Sequence, residues 1–281
     1  MRKIIRADSV QKAVKILREG ILLTEEGKSI KAIPKLKKSL QLLQETKNEE
    51  MLALCYSFLG LAYRNEKQYN EALQEFNNFL KIITELNDNF GIAQAYLDIG
   101  LTLSLQKKYD ESINMMMKSL HIIQNQLKDK DLEVTVLANL GGTYLLKGDL
   151  DSALSFYKIG IKIANITDFI EGSSECYRGL AEIHAKKGNL KEAETYYHKS
   201  LGLFRLLGDK RSESDLLLQL GVLYSQLGLY NDALFYFKQA LKLKKQLKDL
   251  VGEKLCEKNI DSLQEKIKVK KPTNKSGNRQ G

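Results

Sequence analysis

Glycines recur at a nearly constant spacing through most of the chain. They are Gly20, Gly60, Gly100, Gly141 and Gly221, separated by 40, 40, 41 and 80 residues, and Ala181 occupies the intervening place. Twelve residues after each of them stands a second small residue, and four residues later a large apolar or aromatic one. Because this register holds six times, the sequence predicts six copies of one structural unit instead of a single irregular domain.

The small and large residues of each copy predict how it packs. The second small residues are Ala32, Ala72, Ser112, Ala153, Ala193 and Ala233, and the large ones are Leu36, Phe76, Met116, Tyr157, Tyr197 and Phe237. Two helices approach closely only where small side chains face each other, and a bulky residue one turn away fills the adjoining space. A glycine inside a helix costs about 1 kcal/mol relative to alanine, so its recurrence needs such a packing reason. Each copy is therefore predicted to be a helical hairpin.

Turn and capping residues agree with this prediction. Within the hairpins, Gly27, Gly148, Gly188 and Gly228 stand where a helix C-terminus favours a left-handed residue, whereas Lys67 and Lys107 take that place in the second and third copies. Between the hairpins, Asp88, Asp129, Asp209 and Asp249 are predicted to cap the N-terminus of the next helix.

The pattern Leu59-Gly60-Leu-Ala-Tyr63, which recurs with substitutions, resembles the tetratricopeptide repeat. The common unit of that family has about 34 residues and a proline near its end. Here the unit is longer, and the proline place holds Gln44, Thr84, Gln124, Asn165, Arg205 and Lys245, which predicts a longer second helix. This form is similar to the repeats of kinesin light chains, of Pins and of bacterial peptide-pheromone receptors. The resemblance implies an all-α, right-handed superhelical solenoid of six hairpins with a C-terminal capping helix.

Segment boundaries follow from the register. A basic lead-in covers residues 1–12, and the six repeats cover 13–52, 53–92, 93–133, 134–173, 174–213 and 214–253. Residues 254–270 repeat the first-helix register with a polar surface, which is typical of a solubilising cap on a repeat array. Residues 271–281 offer nothing apolar to bury, so they are predicted to form a disordered basic tail.

The net charge of +9 is concentrated at the two ends of the chain. Residues 1–18 carry +5 and residues 266–281 carry +6, which leaves −2 for the body. One interpretation is that these ends are merely solvated, and the other is that they bind nucleic acid or an acidic membrane. The basic residues concerned are Arg2, Lys3, Arg6, Lys266, Lys268, Lys270, Lys271, Lys275 and Arg279. Without a secretory signal or a long apolar run, the protein is expected to be soluble and cytoplasmic, with no transmembrane segment.

The sequence shows no recognisable constellation for catalysis or metal binding. The candidates are the cysteines Cys55, Cys176 and Cys256, the histidines His121, His184 and His198, and the segment Gly27-Lys28-Ser29. The cysteines occupy one place in three different repeats, which predicts buried structural thiols too far apart for disulfides. The histidines lack metal-ligand spacing, and Leu22 stands where a phosphate-binding loop would need glycine. We therefore expect no enzymatic activity, no cofactor, no metal and no small-molecule substrate.

The resemblance also implies a binding surface. In members that bind peptides, the second, fifth, sixth, ninth, twelfth and thirteenth residues of each first helix line a concave groove. The residues at these places in the N-terminal half are Leu54, Ser57, Leu61, Arg64, Asn65, Gln94, Leu97, Asp98, Leu101 and Ser104. Those in the C-terminal half are Thr135, Asn139, Leu145, Glu175, Arg178, Glu182, Lys186, Asp215, Gln219 and Val222.

Three residues of this set carry further expectations. Arg178 is expected to pair with Glu182 four residues later on the same helix. Asn139 stands at the place of an asparagine that often holds peptide backbone in this family. The fifth places contain no lysine, so the carboxylate clamp of chaperone-binding members is absent from the sequence.

These features predict a non-catalytic adaptor or assembly scaffold that binds a protein or peptide in the groove. A second hypothesis is a regulatory peptide receptor of the pheromone-receptor type, which would need an effector domain before the repeats, where only residues 1–12 precede them. A third is a factor that associates with nucleic acid or membranes through its basic termini.

Overall fold

A computed structural model describes the backbone of residues 2–45 and 48–270, and the side chains of residues 10–45 and 48–268. The regular elements in these ranges are all helical. They are α1 (Arg2–Glu25), α2 (Ser29–Gln44), α3 (Glu49–Asn65), α4 (Tyr69–Glu85), α5 (Asn89–Leu105), α6 (Tyr109–Ile122), a π-helix (Ile123–Leu127), α7 (Lys130–Lys147), α8 (Leu150–Thr167), α9 (Ile170–Lys186), α10 (Leu190–Leu207), α11 (Lys210–Gln226), α12 (Tyr230–Gln246) and α13 (Leu250–Lys270). The predicted tail, residues 271–281, lies outside the described residues.

Consecutive helices form the predicted hairpins. The pairs α1–α2, α3–α4, α5–α6, α9–α10 and α11–α12 pack side by side, and in the fourth hairpin the ring of Tyr144 stacks on that of Phe156 with centroids 5.2 Å apart. The chain divides into two compact units, one ending at Phe156 and the other beginning at Tyr157, within α8. The all-α architecture of repeated helical hairpins is confirmed.

The repeated glycines allow the two helices of a hairpin to touch. A Cβ atom at Gly60 would lie 2.7 Å from the ring of Phe76, and one at Gly221 would lie 2.6 Å from the ring of Phe237. Real Cβ atoms do not approach so closely, so a larger residue would push the helices apart. The predicted contact between a small and a large residue is therefore present in the first, second, third and sixth hairpins.

Serine hydroxyls add buried links that the pattern of small residues did not reveal. Ser39 donates to the carbonyl oxygen of Ala13, Ser119 to that of Ala93, and Ser200 to that of Ser174, each at 2.8 Å between helices of one hairpin. Because a buried hydroxyl without a partner is costly, these bonds let a polar residue occupy the helix interface. The sequence signal was present, since each serine lies 26 residues after its acceptor.

The turns and caps follow the prediction. Gly27, Gly148, Gly188 and Gly228 all have positive φ angles, and Lys67 and Lys107 adopt the same left-handed conformation with φ of 61° and 64°. The carboxylates of Asp88, Asp129, Asp209 and Asp249 each accept backbone N–H groups at the start of the next helix. Asn48 caps α3 in the same way by accepting the N–H of Met51 at 3.0 Å.

The extra residue of the third repeat is absorbed by the π-helix at the end of α6. In the second repeat, 18 residues separate Tyr69 from the left-handed Asn87, whereas 19 separate Tyr109 from the left-handed Lys128. A π-turn is a helical turn that has taken in one more residue. The helix therefore accommodates the insertion internally, and Asp129 still caps α7.

The last helix, α13, closes the second unit. Its residues Cys256, Ile260 and Leu263 are buried, and the last two pack with Phe237 of α12. On the other side Asp261, at the register place of the glycines, is exposed. One polar face and one buried face are what a cap on a repeat array requires. Lys266 and Lys268 are exposed on this helix, whereas the side chains of the other basic terminal residues lie outside the described ranges.

Candidate functional site

The predicted groove residues of the first unit differ widely in their exposure. Leu54 and Asn65 are exposed, while Ser57, Leu61, Arg64, Gln94, Leu101, Thr135 and Asn139 are partly buried. The expectation of exposure is wrong for Leu97, Asp98, Ser104 and Leu145, which are 8%, 3%, 8% and 5% exposed. These residues lie on α5 and α7, where α5 packs against α4 and α6 and α7 packs against α6, and this packing covers their side chains. These four residues are therefore poorly placed to meet a partner directly.

Arg64 and Asp98 form an ion pair between the first helices of the second and third repeats. Arg64 Nη1 lies 2.8 Å from Asp98 Oδ1, and the two side chains are 17% and 4% exposed. Gln94 Nε2 donates to the second oxygen of Asp98 at 2.9 Å, and the guanidinium of Arg64 lies 5.5 Å from the centre of the Phe76 ring. These contacts occupy Arg64 and Asp98, so the pair fixes the spacing of two repeats.

A pocket of about 510 Å³ opens beside this ion pair, between α3, α4 and the start of α5. Its floor is formed by the buried Phe79 and Ile83, and its rim by the exposed apolar side chains of Leu54, Leu86 and Phe90. The remaining lining residues are Glu50, Ala53, Ser57, Asp88, Gly91 and Gln94. Leu54, Ser57 and Gln94 were predicted from the register, but the contribution of α4 and of Phe90 was not.

Two asparagines of the predicted set already have partners within the chain. Asn139 Nδ2 donates to the carbonyl oxygen of Thr135 at 2.8 Å, one turn earlier on α7. Asn65 Nδ2 donates to Ser29 Oγ at 3.1 Å and so links α3 to α2. The predicted backbone-holding role of Asn139 stays a prediction, and it would require the amide to exchange its present partner.

In the second unit, the predicted pairing of Arg178 is confirmed. Arg178 Nη1 donates to Glu182 at 3.0 Å, and its Nε and Nη2 atoms donate to Glu175 at 3.0 and 2.5 Å. Burial by itself would lower the pKa of the guanidinium, but the two carboxylates raise it. The three residues form one partly exposed cluster on α9, in which Arg178 neutralises one of the two carboxylate charges.

A second pocket, of about 320 Å³, lies further along α9, between α9, α10 and α11. Four residues of the predicted set line it, namely Glu182, Lys186, Gln219 and Val222. Lys186, Gln219 and Val222 are exposed, and the inner wall contains the buried Tyr197 and Leu223. Asp215 is exposed and pairs with the buried Lys244 of α12, which also contacts Asp249 at 2.9 Å.

An aromatic cluster between α10, α11 and α12 was not predicted from the sequence. The Tyr224 hydroxyl donates to Glu194, its ring stacks on Tyr236 at 5.0 Å, and His198 Nε2 lies 3.5 Å from the hydroxyl. Burial and the bond to Glu194 both raise the pKa of Tyr224. His184 packs against the Tyr196 ring at 5.3 Å, and its buried Nδ1 atom has no hydrogen-bond partner among the residues that the structure describes.

The three cysteines are buried and unbridged, as predicted. The Cys55 thiol donates to the carbonyl oxygen of Leu36 at 3.3 Å. Burial raises the pKa of Cys55 and of Cys176 to about 12, so neither is a thiolate at neutral pH. Within the described ranges, no group of three or more Cys, His, Asp and Glu side chains is positioned to hold a metal ion. A membrane-spanning helix is likewise not found among the helices described above.

Two protein-family models match the chain, and both have the same description. Models described as "Tetratricopeptide repeat" match residues 91–165 and 174–246 in one form and residues 53–84 in the other. Together they cover more than half of the chain and parts of all its predicted repeats except the first.

Comparison with individual proteins gives shorter or more distant matches. The Arabidopsis thaliana protein named "Protein CTR9 homolog" is 31% identical over 133 residues, which are 44% of this chain and only 11% of that protein. A Signal Transduction ATPase with Numerous Domains with a tetratricopeptide repeat sensor, from Pyrococcus horikoshii, is 20% identical with a TM-score of 0.69 over 88% of this chain and 38% of its own. The Rap conjugation gene regulator of plasmid pLS20, solved in complex with the Phr* peptide, is 20% identical with a TM-score of 0.64 over 93% and 76%. Identities this low between structures show a common fold.

Proposed function

Since the chain belongs to the tetratricopeptide repeat family, we propose that it is a non-catalytic adaptor that binds a peptide segment or a partner protein on the face formed by its first helices. The observation that carries the proposal is that each unit has an open pocket lined by residues of its own first helices. Stacked repeats offer extended surfaces of this kind for recognition.

The exposed apolar residues on this face support a binding role. Leu54 and Phe90 in the first unit and Val222 in the second are 38%, 52% and 38% exposed, and each lies at the rim of a pocket. Apolar groups around a concave opening are the usual contact points for a partner, since burying them on binding is favourable. Two arginines of the face, by contrast, are paired within the chain, Arg64 with Asp98 and Arg178 with Glu175 and Glu182.

Affinity capture with a pocket variant tests the proposal. We expect Leu54→Glu combined with Val222→Glu to lose the partners that the wild-type chain captures from its own cell extract, because both changes place a charge at a pocket rim. The matched control is Leu22→Glu combined with Leu206→Glu, two exposed leucines that line neither pocket. Equal capture by both variants would contradict the proposal, as would the absence of any specific partner of the wild-type chain.

A second candidate is a regulatory receptor for a short peptide. The similarity to a Rap regulator solved with the Phr* peptide favours it. Mass spectrometry of the captured material distinguishes the candidates, because an adaptor retains folded proteins whereas a peptide receptor retains free peptides of a few residues.

A further inference from the structure

We propose that the pocket of the first unit binds a large apolar side chain, phenylalanine or leucine for example, that is flanked in its peptide by lysine or arginine. This inference rests on the proposed function and gives the chemical class of the segment that the face recognises. Two features of the pocket carry it: the apolar residues of its floor and rim, and the acidic charge of the rim.

The pocket has the shape and lining of an anchor site. Its volume of about 510 Å³ falls within the range of sites that enclose a ligand group, about 300–1,000 Å³. The floor of Phe79 and Ile83 belongs to a small core cluster with Ala53 and Ala95, which makes it firm. Phe90 is 52% exposed at the rim, although it stands in the first turn of α5, where a polar residue would cost nothing. An inserted side chain would cover it.

Gly91 fixes the wall of the pocket. A Cβ atom there would lie 2.7 Å from Ile83 and 2.8 Å from a carboxylate oxygen of Asp88. The absence of a side chain therefore lets the start of α5 approach the end of α4, and it keeps Phe90 and Leu86 on the same rim.

The charge of the rim selects a basic flank. The charged residues that line the pocket are Glu50 and Asp88, and both are acidic. Asp88 Oδ1 accepts the N–H groups of Phe90 and Gly91, at 3.0 and 3.1 Å, so its charge is held at the rim. The nearby Arg64 is already paired with Asp98. Acidic groups beside an apolar opening attract a cation next to the anchor and repel an anion.

The fourth, fifth and sixth repeats lack apolar residues at the places of Leu54 and Phe90. The residues that correspond to Glu50 with Leu54, and to Phe90 with Gln94, are Asp131 with Thr135, Glu171 with Glu175, and Arg211 with Asp215 in the three later repeats. None of these pairs contains an apolar residue, whereas Val10 with Val14 in the first repeat and Val251 with Leu255 in α13 are apolar at the same places. Leu54 and Phe90 therefore distinguish this pocket from the fourth, fifth and sixth repeats, in which polar residues take their places.

An immobilised array of ten-residue synthetic peptides, varied one position at a time in a Gly/Ser background, tests the inference with the purified full chain. We expect peptides with a central Phe, Leu, Ile or Met beside Lys or Arg to be retained about tenfold more than those with Ala at the centre. Leu54→Glu should abolish the central preference, and Glu50→Lys should replace the basic flank by an acidic one. Both residues are exposed on α3, and circular dichroism verifies that the variants remain helical.

The controls are Leu22→Glu and Glu111→Lys, exposed residues of the same unit that do not line the pocket. They should leave both preferences unchanged. Retention of specific peptides that Leu54→Glu and Glu50→Lys do not alter would overturn the pocket assignment while leaving the proposed function intact. If the wild-type chain retains no peptide above background, the pocket assignment and the peptide-binding form of the proposed function both fail.

Discussion

At the scale of single residues, the ion pair of Arg64 and Asp98 shows why a polar pair can lie between two repeats. Both side chains are largely removed from water, and Gln94 and the Phe76 ring complete their contacts. A buried ion pair adds little stability over apolar residues of similar size, but one partner left alone is costly. The pair therefore contributes mainly to the geometry of the face beside the first pocket.

We expect Asp98→Ala to lower the free energy of unfolding by about 3–5 kcal/mol, because it leaves the Arg64 guanidinium buried without a counter-charge. Arg64→Leu combined with Asp98→Leu should come within about 1–2 kcal/mol of the wild type, since the double change removes both charges. Urea unfolding of the wild type and the two variants measures these differences. A double variant as unstable as the single one would show that the pair matters for more than its charges.

Lys67 illustrates a local cost that the repeat tolerates. It holds a φ of 61°, in a turn where other hairpins have glycine. We expect Lys67→Gly to raise the free energy of unfolding by about 0.5–1 kcal/mol, because glycine adopts this conformation without steric strain. The neighbouring Glu66 has a φ of −84°, so Glu66→Gly should lower the stability instead. Changes of the same sign in the two urea midpoints would refute this explanation.

At the scale of helices, an acidic residue in the first turn of α7 and of α11 links each to the helix before it. Glu133 accepts from Gln124 and Lys130, and Glu213 accepts from Arg205 and Lys210. Gln124 and Arg205 stand at the place where the shorter form of the repeat has proline. The longer second helix thus supplies a side chain that contacts the next repeat.

The Glu213 contact predicts a dependence of stability on pH. Burial alone would raise the pKa of Glu213, but Lys210 and Arg205 lower it below its usual value. The contribution is therefore present above the usual glutamate pKa of about 4.3 and is lost as the pH falls through the lower folded-state pKa. Glu213→Gln should cost about 1–2 kcal/mol at pH 7 and progressively less below pH ~4. The control Glu192→Gln, at an exposed site on α10, should leave the free energy of unfolding unchanged. Parallel curves of unfolding free energy against pH for the wild type and Glu213→Gln would contradict this account.

The π-helix predicts that the chain tolerates a deletion there. Removal of Asn125, which is exposed, should convert the π-turn into an α-turn of normal length and leave the melting temperature within roughly 3 °C of the wild type. Removal of the exposed Glu85 at the end of α4 should cost much more, because that helix has no spare residue and its last turn would rotate. Thermal melting followed by circular dichroism makes the comparison. Equal losses of melting temperature for the two deletions would mean that the π-helix does not accommodate the extra residue of the third repeat.

At the scale of the whole molecule, the features that depend on short sequence distances were predictable. The hairpins, the left-handed turn residues and the aspartate caps depend on residues within one repeat, and the structure confirms them. Exposure on the first-helix face was less predictable. Ser57 and Leu97 have the same place in neighbouring repeats, yet the first is partly and the second almost completely buried. That difference arises from the packing of neighbouring helices, which a position within one repeat does not encode.

The first pocket combines residues of three helices, so no single repeat displays it. Leu54 comes from α3, Ile83 from α4, Leu86 from the residue that follows α4, and Phe90 from α5. The signal in the sequence was Phe90, a phenylalanine at an exposed place in the first turn of a helix. Its role as a pocket residue becomes visible only when the three helices are placed together. The repeat register predicted the pocket residues Leu54, Ser57 and Gln94, whereas the contributions of α4 and of Phe90 are known only from the structure.

Photo-crosslinking tests most directly whether the first-helix face holds the partner. Phe90→p-benzoyl-phenylalanine places a reactive aromatic group at the rim of the first pocket, and Phe235→p-benzoyl-phenylalanine places the same group on α12, where the 57% exposed Phe235 lines neither pocket. After irradiation with the captured partner, we predict a crosslinked product from position 90, with an apolar residue next to Lys or Arg at the attachment point, and none from position 235. Crosslinking from position 235 with none from position 90 would contradict the account.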